Sequence, residues 1–270
     1  MKIYPHTNFR LREAKNKIGV GVYFIGAGPG DPELLTLKAQ RIIAKADIII
    51  YAGSLVNKEL LKFAKAKAAI YDSSSMTLQE AQKIILKAKG SNKIVARIHS
   101  GDPSIYSSIQ EQIAWCEKED IPYEVIPGVS SFCAAAASLK QELTLPDIAQ
   151  TVIITRLSGR TKVPAKENLK ALSRIRATLV IFLSIDKIGS VVKQLLYGYA
   201  KDTPAAVVSK ASWPDEKIIT GTLKDITQKV KREKISRQAI IFVGDVLKKR
   251  GFKKSRLYDK NFSHGYRKWS

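Results

Sequence analysis

Short apolar runs alternate with amphipathic stretches along most of the chain, and this alternation constrains the fold more than any other feature of the sequence. Strands alternating with helices of this length are typical of crossover units on a parallel sheet. The predicted strands are 20–25, 47–51, 69–71, 93–98, 123–126, 152–155, 178–183, 205–209, 217–222 and 239–243. The predicted helices are 34–43, 58–66, 77–89, 107–119, 130–139, 166–175, 186–197 and 223–233.

The pattern changes after residue 139, where a polar stretch over 140–150 predicts a linker. Further on, the turn Trp213-Pro214-Asp215 joins two extended runs and predicts an antiparallel pair. We therefore predict two α/β domains, 19–139 with a mostly parallel sheet and 140–247 with a mixed sheet. A basic extension over 1–18 and a basic tail over 248–270 flank them.

The formal net charge of +22 is concentrated at the two ends of the chain. Residues 1–17 carry +4 and residues 248–270 carry +8, which leaves +10 for the 230 residues between them. A basic surface attracts anions in general. The charge therefore leaves open a nucleic acid, a small polycarboxylate substrate, or a solvated surface without a specific partner.

Composition excludes several classes of protein. No apolar run approaches the ~18–20 residues that a membrane-spanning helix needs, and the first residues do not resemble a secretory signal. We therefore expect a cytoplasmic protein without a membrane partner. Cys116 and Cys133 are too far apart for a metal-binding pattern, so we expect buried free thiols and no metal.

A glycine-rich loop, Gly26-Ala27-Gly28-Pro29-Gly30-Asp31, separates the first strand from the first helix. It is not a dinucleotide-binding fingerprint, because Asp31 stands where the third glycine would be and would repel a pyrophosphate. Asp31 before Pro32 instead favours a helix start with an aspartate cap. A simple cap without a ligand is the alternative to a binding loop.

Two further loops follow strands in the same way. Ser100-Gly101-Asp102-Pro103 places a flexible glycine and a carboxylate at a strand's carboxyl end, where α/β proteins bind ligands. The segment 126–132 places Ser130 and Ser131 at the expected start of a helix. Each loop taken alone is compatible with an ordinary turn. His99 taken alone is compatible with a purely structural role. Because parallel strands end at the same side of a sheet, we expect the loops to cluster into a ligand pocket.

Taken together, these motifs resemble the tetrapyrrole methylase family, the class III S-adenosylmethionine methyltransferases. The resemblance rests on GAGPGDPELLTL over 26–37, HSGDPSIY over 99–106 and PGVSSF over 127–132, and spans about residues 19–247. It implies two α/β domains with the active site in the cleft between them, S-adenosylmethionine as methyl donor, a tetrapyrrole substrate and a homodimer.

Within the family, the chain is most similar to methyltransferases that act at C-11 of precorrin-4 or cobalt-precorrin-4. The stretches that carry this likeness are YAGSLV over 51–56, QTVIITR over 150–156 with Gly159-Arg160-Thr161, ASWPDE over 211–216, and the tail from Ser255 to Arg267. In the uroporphyrinogen-III enzymes the first stretch is similar to YDRLVS. Its aspartate is replaced here by Ala52 and Gly53, so the resemblance assigns no catalytic base.

The resemblance also implies a set of binding residues. Expected cofactor contacts are Pro29, Ser100, Gly101, Asp102, Ile105, Ser130, Ser131, Leu183, Ala211 and Ala239. Leu183 stands where relatives carry a methionine. The loop 26–31 is expected to border the tetrapyrrole trough. Arg156 and Arg160 could pair with substrate carboxylates through bidentate hydrogen bonds.

The strongest rival is a ribosomal RNA ribose methyltransferase of the same superfamily, which the charge favours because phosphate contacts dominate RNA affinity. The YAGSLV and ASWPDE stretches argue against it, and we expect no nucleic-acid partner. Another tetrapyrrole methyltransferase of the corrin pathway and a diphthine synthase are weaker alternatives. The sequence leaves open whether the substrate ring carries cobalt.

Overall fold

A computed structural model describes residues 18–159, 161–248, 255, 262, 263, 265 and 266. By contacts, the chain divides into two units, Met1–Ala134 and Ala135–Ser270. This division falls slightly before the predicted boundary between 139 and 140, and the domain bounds stay a prediction. Most of the basic extension and tail lies outside the described residues.

The first unit is built on a five-stranded sheet in the order β3-β2-β4-β1-β5. All four strand pairings are parallel, which confirms the predicted parallel sheet. The strands are β1 (Gly21–Gly26), β2 (Ile48–Tyr51), β3 (Ala69–Asp72), β4 (Ile94–His99) and β5 (Tyr123–Ile126).

Helices α1 (Leu37–Lys45), α2 (Leu78–Gly90) and α3 (Ile109–Lys118) cover the two faces of this sheet, and α4 (Ser131–Ser138) begins in this unit and ends in the second. Tyr23, Ile25 and Ile49 belong to a buried cluster with α1, whereas Val22, Phe24 and Ile50 belong to a second cluster with α2 and α3. Strands buried on both faces explain the nearly continuous apolar runs in the sequence.

The first helix was predicted to begin too early. Asp31 does cap a helical turn, since its carboxylate accepts the Glu33 amide at 2.8 Å, but that turn is a single 3-10 turn, Pro32–Leu34. Leu35 is extended, and α1 starts anew with Thr36 as its cap. The segment predicted helical at 58–66 is likewise a 3-10 helix, Lys58–Phe63. Capping residues decided both outcomes more than apolar spacing did.

The second unit carries a mixed five-stranded sheet in the order β6-β7-β10-β8-β9. β6 and β7 pair in parallel, and the remaining pairings are antiparallel. This confirms the predicted mixed sheet and the antiparallel pair around Trp213-Pro214-Asp215. The strands are β6 (Val152–Arg156), β7 (Thr178–Phe182), β8 (Pro204–Ser209), β9 (Lys217–Thr222) and β10 (Ala239–Val243).

Three short helices accompany the second sheet: α5 (Leu169–Ser173), α6 (Ile188–Leu195) and α7 (Ile226–Arg232). Their apolar residues, among them Leu169, Val191 and Ile226, form one buried cluster with Ile181 and Val207 of the sheet. This core fixes the strand ends from which the second unit's loops emerge.

The cysteines differ from the prediction in one respect. Both are free thiols, but only Cys116 is buried, while Cys133 is exposed. Cys133 lies in the first turn of α4, whose buried side is formed further along by alanines 134, 135 and 136. Within the described residues, no helix is long and apolar enough to cross a membrane.

Candidate active site

The loops that follow β1 and β4 are joined directly through their backbones. Gly28 and Gly101 form an isolated antiparallel bridge in which the Gly101 amide donates to the Gly28 carbonyl at 2.8 Å. The Gly28 amide donates back to the Gly101 carbonyl at 3.2 Å. Both glycines adopt positive φ angles, +76° and +65°, which side chains rarely tolerate. The sequence motifs therefore mark a real junction and not two independent turns.

The loop after β5 packs against the same junction. A Cβ atom on Gly128 would lie 2.3 Å from the Gly101 carbonyl oxygen, and one on Gly26 would lie 2.6 Å from that oxygen. Real Cβ atoms do not approach this closely, so both positions require glycine. We name these three contacting segments, 26–31, 99–106 and 126–132, the glycine junction. Its formation confirms that the loops after the parallel strands meet.

Asp102 stabilises the glycine junction with its carboxylate. One oxygen, Oδ2, accepts the Gly128 amide at 2.9 Å, and Oδ1 accepts the Ser104 amide at 2.8 Å and the Ser104 hydroxyl. Partial burial pushes the pKa of Asp102 upward, but these hydrogen bonds together lower it below the ordinary value. The carboxylate therefore stays ionised at neutral pH, and Oδ2, which accepts one hydrogen bond, keeps a lone pair for a ligand.

The structure brings the predicted first-unit residues together. Pro29, Ser100, Gly101, Asp102, Ile105, Ser130 and Ser131 all lie in the glycine junction or in the first residue of α4. Ser130 is buried directly before that helix, and its carbonyl accepts the Cys133 amide at 3.0 Å. Contact of these residues with a cofactor stays a prediction.

His99 ends β4 beside the junction and is buried. Its ring packs near Phe24, at 6.2 Å between centroids, and its Nε2 has no hydrogen-bond partner among the described residues. Burial, followed by the nearby charge of Arg97, lowers the pKa of His99 to about 3. A neutral, packed imidazole agrees with the structural histidine considered above.

A fourth loop, over 51–57, reaches the junction through contacts that the sequence did not reveal. The Asn57 side-chain amide donates to the Gly30 carbonyl at 2.9 Å, and the Gly53 amide donates to the Asp72 carboxylate at 3.1 Å. These pairs are 27 and 19 residues apart in sequence. Nothing in the local pattern marks Asn57 or Asp72, although an aspartate ending a strand is a weak signal in hindsight.

In the second unit, the described residues among those predicted lie at one edge of the sheet, where β6, β7 and β8 end and β10 begins. Arg156 is the last residue of β6, and Leu183 directly follows the parallel strand β7. Ala239 pairs with Ser209, two residues before Ala211, and the β7–β10 register places Leu183 opposite Ala239. Arg160 lies outside the described residues, so its position is not described.

Leu183 holds an unusual conformation there. Its φ is +50°, and its side chain is 68% exposed. The neighbouring Ser184 hydroxyl accepts the Leu157 amide at 2.8 Å and donates to the Phe182 carbonyl at 2.6 Å. These bonds fix the turn, so an apolar side chain is presented to solvent at a conformational cost of about 1–2 kcal/mol.

Two cations stand beside this side of the second sheet. The Arg156 guanidinium donates to the backbone carbonyls of Thr161 at 3.0 Å and Lys162 at 3.2 Å, so it shapes the loop after β6. The Lys187 ammonium lies 3.9 Å from the position that a Cβ would take on Gly159. No acidic side chain in the described part of the chain pairs with Lys187. Sequence analysis missed Lys187.

No group of three or more His, Cys, Asp or Glu side chains among the described residues is arranged to hold a metal ion. The candidate binding groups are thus glycine backbones, one ionised carboxylate and serine hydroxyls in the first unit, and two cations in the second unit. Such groups bind and orient ligands; they do not form a nucleophile–base pair.

Comparison with known proteins agrees with this arrangement. The sequence profile of the family described as Tetrapyrrole (Corrin/Porphyrin) Methylases matches residues 21–227. The chain belongs to this family of methylases. It is 55% identical over 248 residues, 92% of this chain and 96% of the relative, to the cobalt-precorrin-4 C(11)-methyltransferase of Methanocaldococcus jannaschii.

Solved structures give the same result. The structure of a cobalamin biosynthetic enzyme, cobalt precorrin-4 methyltransferase, matches with a TM-score of 0.82 and 42% identity, covering 84% of this chain and 95% of that one. A uroporphyrin-III C-methyl transferase from Thermus thermophilus, complexed with S-adenyl homocysteine, matches with a TM-score of 0.72 and 26% identity. That match covers 85% of this chain and 100% of the Thermus chain.

Proposed function

We propose that this protein transfers a methyl group from S-adenosylmethionine to C-11 of precorrin-4, or of its cobalt complex, in cobalamin biosynthesis. The carrying observation is the 55% identity to a cobalt-precorrin-4 C(11)-methyltransferase across 92% of the chain, which includes both units. The glycine junction supports this proposal because its polar groups could bind the donor.

The residues of the junction fit the donor. Ser100 and Asp102 are partly exposed at the carboxyl end of β4, the usual ligand side of such sheets, and the buried Gly101 lies between them. The ionised Asp102 would attract the ammonium of the donor's amino-acid part, and Ser130 and Ser131 would offer hydroxyl groups. The solved relative complexed with S-adenyl homocysteine supports the choice of donor.

In the reaction, the ring carbon forms a bond to the methyl group while the carbon–sulfur bond breaks and its electron pair stays on sulfur. The donor is already activated, so the protein's task is to align the reacting atoms and exclude water. The macrocycle gains one positive charge and must release one proton. We assign no residue to that proton, because Ala52 and Gly53 occupy the stretch where related enzymes carry an aspartate.

The substrate's acetate and propionate arms call for cations. We propose that Lys187 and Arg160 pair with them. Lys187 supports this because its ammonium is free of any described acidic partner and lies against the loop after β6. Arg156 would contribute mainly by holding that loop, since two of its hydrogen bonds go to backbone carbonyls. Ion pairs of such polycarboxylates are strongest where several cations act together.

The deciding experiment is incubation with methyl-labelled S-adenosylmethionine and precorrin-4, with and without cobalt, followed by NMR location of the label. We expect label at C-11 of one ring form, and the preferred form also answers the cobalt question. Label at another ring carbon would overturn the assignment. Salt-sensitive methylation of RNA instead would support the rival favoured by the +22 charge.

We also propose, from the family resemblance, that the protein works as a homodimer in the cytoplasm. Light scattering coupled to size-exclusion chromatography would give the mass of the assembly against the 29.9 kDa chain. Cell fractionation of the native host would test the compartment.

A further inference from the structure

Asp72 ends the outermost strand of the first sheet, β3, and its carboxylate reaches into the neighbouring loop. One oxygen, Oδ1, accepts the Gly53 amide at 3.1 Å and the Ser74 amide at 2.9 Å. The Asp72 side chain therefore fixes the backbone at Gly53, directly after Ala52.

A side chain at position 53 could not coexist with the Asp72 carboxylate in its present position. A Cβ atom on Gly53 would lie 2.0 Å from Oδ2 of Asp72, so the carboxylate fills the space of a side chain at position 53. Gly53 has no positive φ to explain its presence. Its role is to admit the Asp72 carboxylate against the backbone.

Asp72 repeats the arrangement seen at Asp102. Each carboxylate accepts the amide of a serine two residues later, Ser74 or Ser104, and each also accepts the amide of a loop glycine, Gly53 or Gly128. The same pattern of hydrogen bonds therefore holds the loop after β5 through Asp102 and the loop after β2 through Asp72.

The anchored loop connects onward to the glycine junction. Asn57 donates to the Gly30 carbonyl with its amide nitrogen, while its oxygen accepts the Glu59 amide at 3.0 Å. The loop 51–57 is therefore held at its start by Asp72 and at its end by the segment expected to border the tetrapyrrole. Ala52 and Gly53 lack functional groups, so at these two positions a substrate would meet mainly the backbone, followed by the exposed side chains of Ser54 and Leu55.

Resting on the proposed function, we infer that Asp72 is a positioning residue that holds loop 51–57 in the shape required to bind the tetrapyrrole. It acts as a hydrogen-bond acceptor for the loop and not as the base for the released proton. Its Oδ1 atom already accepts two backbone amides.

The test compares Asp72→Ala with Asp72→Asn, which keeps an oxygen acceptor for the Gly53 amide. We expect Asp72→Ala to raise KM for the tetrapyrrole on the order of tenfold, the effect of one lost charge-assisted hydrogen bond, with the affinity for S-adenosylhomocysteine unchanged. Asp72→Asn should restore most of the KM. Gly53→Ala should raise KM for the tetrapyrrole as Asp72→Ala does. The double variant should have a KM no higher than that of either single variant.

Asp225→Asn is the matched control, because Asp225 also anchors a turn, accepting the Thr222 amide at 2.7 Å after β9. It should leave both affinities unchanged. An Asp72→Ala enzyme with wild-type KM, or one that loses tetrapyrrole and S-adenosylhomocysteine affinity equally, would overturn the inference. An Asp72→Asn enzyme with a kcat as low as that of Asp72→Ala would also overturn it, because that result would identify Asp72 as a proton acceptor. If wild type fails to methylate C-11, the proposed function fails first and separately.

Discussion

The Gly128 amide donates a 2.9 Å hydrogen bond to the Asp102 carboxylate across 26 residues of sequence. This bond joins the loop after β5 to the loop after β4, and it uses a charged acceptor in a partly buried place. Charge-assisted bonds of this kind are stronger than neutral ones. Asp102 is therefore a structural part of the site as well as a candidate ligand contact.

Asp102→Ala should weaken the site in two measurable ways. Leaving the Gly128 amide without its acceptor should lower the free energy of unfolding by about 1–3 kcal/mol. S-adenosylhomocysteine binding, measured by calorimetry, should fall at least about tenfold, because the junction loosens and a charge is lost. Unchanged calorimetric binding in a folded variant would count against the placement of the donor.

Gly128→Ala should be far more costly than a glycine replacement elsewhere. Its Cβ would collide with the Gly101 carbonyl, which is backbone and cannot move cheaply, so we expect a loss of about 1–3 kcal/mol. Gly90→Ala is the control, since nothing lies within 4 Å of its Cβ position at the end of α2. That change should stabilise by about 0.4–1 kcal/mol. Equal urea midpoints for the two variants would refute the argument.

His99 should make the protein less stable as the solution is acidified. Its folded pKa of about 3 lies below the ordinary value, so between these values the unfolded chain binds a proton that the native state refuses. Stability therefore rises with pH in this window, with a slope of up to about 1.4 kcal/mol per pH unit. The free energy of unfolding is measured in urea at pH 7, 6 and 5. In His99→Gln, the part of its pH dependence that His99 contributes should disappear. Parallel curves for wild type and variant would contradict the prediction.

Leu183 should show opposite effects on stability and binding. Leu183→Gly removes the positive-φ cost of about 1–2 kcal/mol but adds an entropic cost of about 0.5–1 kcal/mol, so the free energy of unfolding should rise by up to about 1 kcal/mol. S-adenosylhomocysteine affinity should nevertheless fall. Leu183→Met should keep the affinity. Lys234→Gly, at another exposed residue with positive φ, +54°, controls for the backbone effect. A Leu183→Gly protein that binds the product normally would remove Leu183 from the site.

Lys187→Gln should weaken tetrapyrrole binding about three- to tenfold, the effect of one partly exposed ion pair, without changing donor affinity. Arg160→Ala should act in the same direction. Lys193→Gln is the control, because Lys193 is also exposed and unpaired among the described residues but lies on α6. Equal tetrapyrrole titrations for the Lys187 and Lys193 variants would exclude the proposed pairing.

The strands and the meeting of the three loops could be predicted because their signals are local. Apolar runs such as Ile48-Ile49-Ile50 define buried strands, and parallel strands bring their following loops together. Helix starts were less predictable. The leucines around position 35 suggested one continuous helix, but Thr36 captures the Ala39 amide and starts a separate one.

The contacts between distant residues could not be predicted in this way. Asp72 with Gly53 and Asn57 with Gly30 depend on which strands become neighbours and on the path of each loop. A single sequence carries no periodicity that would report such pairs. The same holds for Lys187, whose ammonium reaches Gly159 only because β6 and β7 lie side by side.

The glycine junction is made of closely packed backbone, so its three loops move as one unit. A bulkier residue at Gly26 or Gly128 pushes on the Gly101 carbonyl and so displaces a second loop along with its own. The glycine junction is consequently resistant to gradual remodelling by single substitutions.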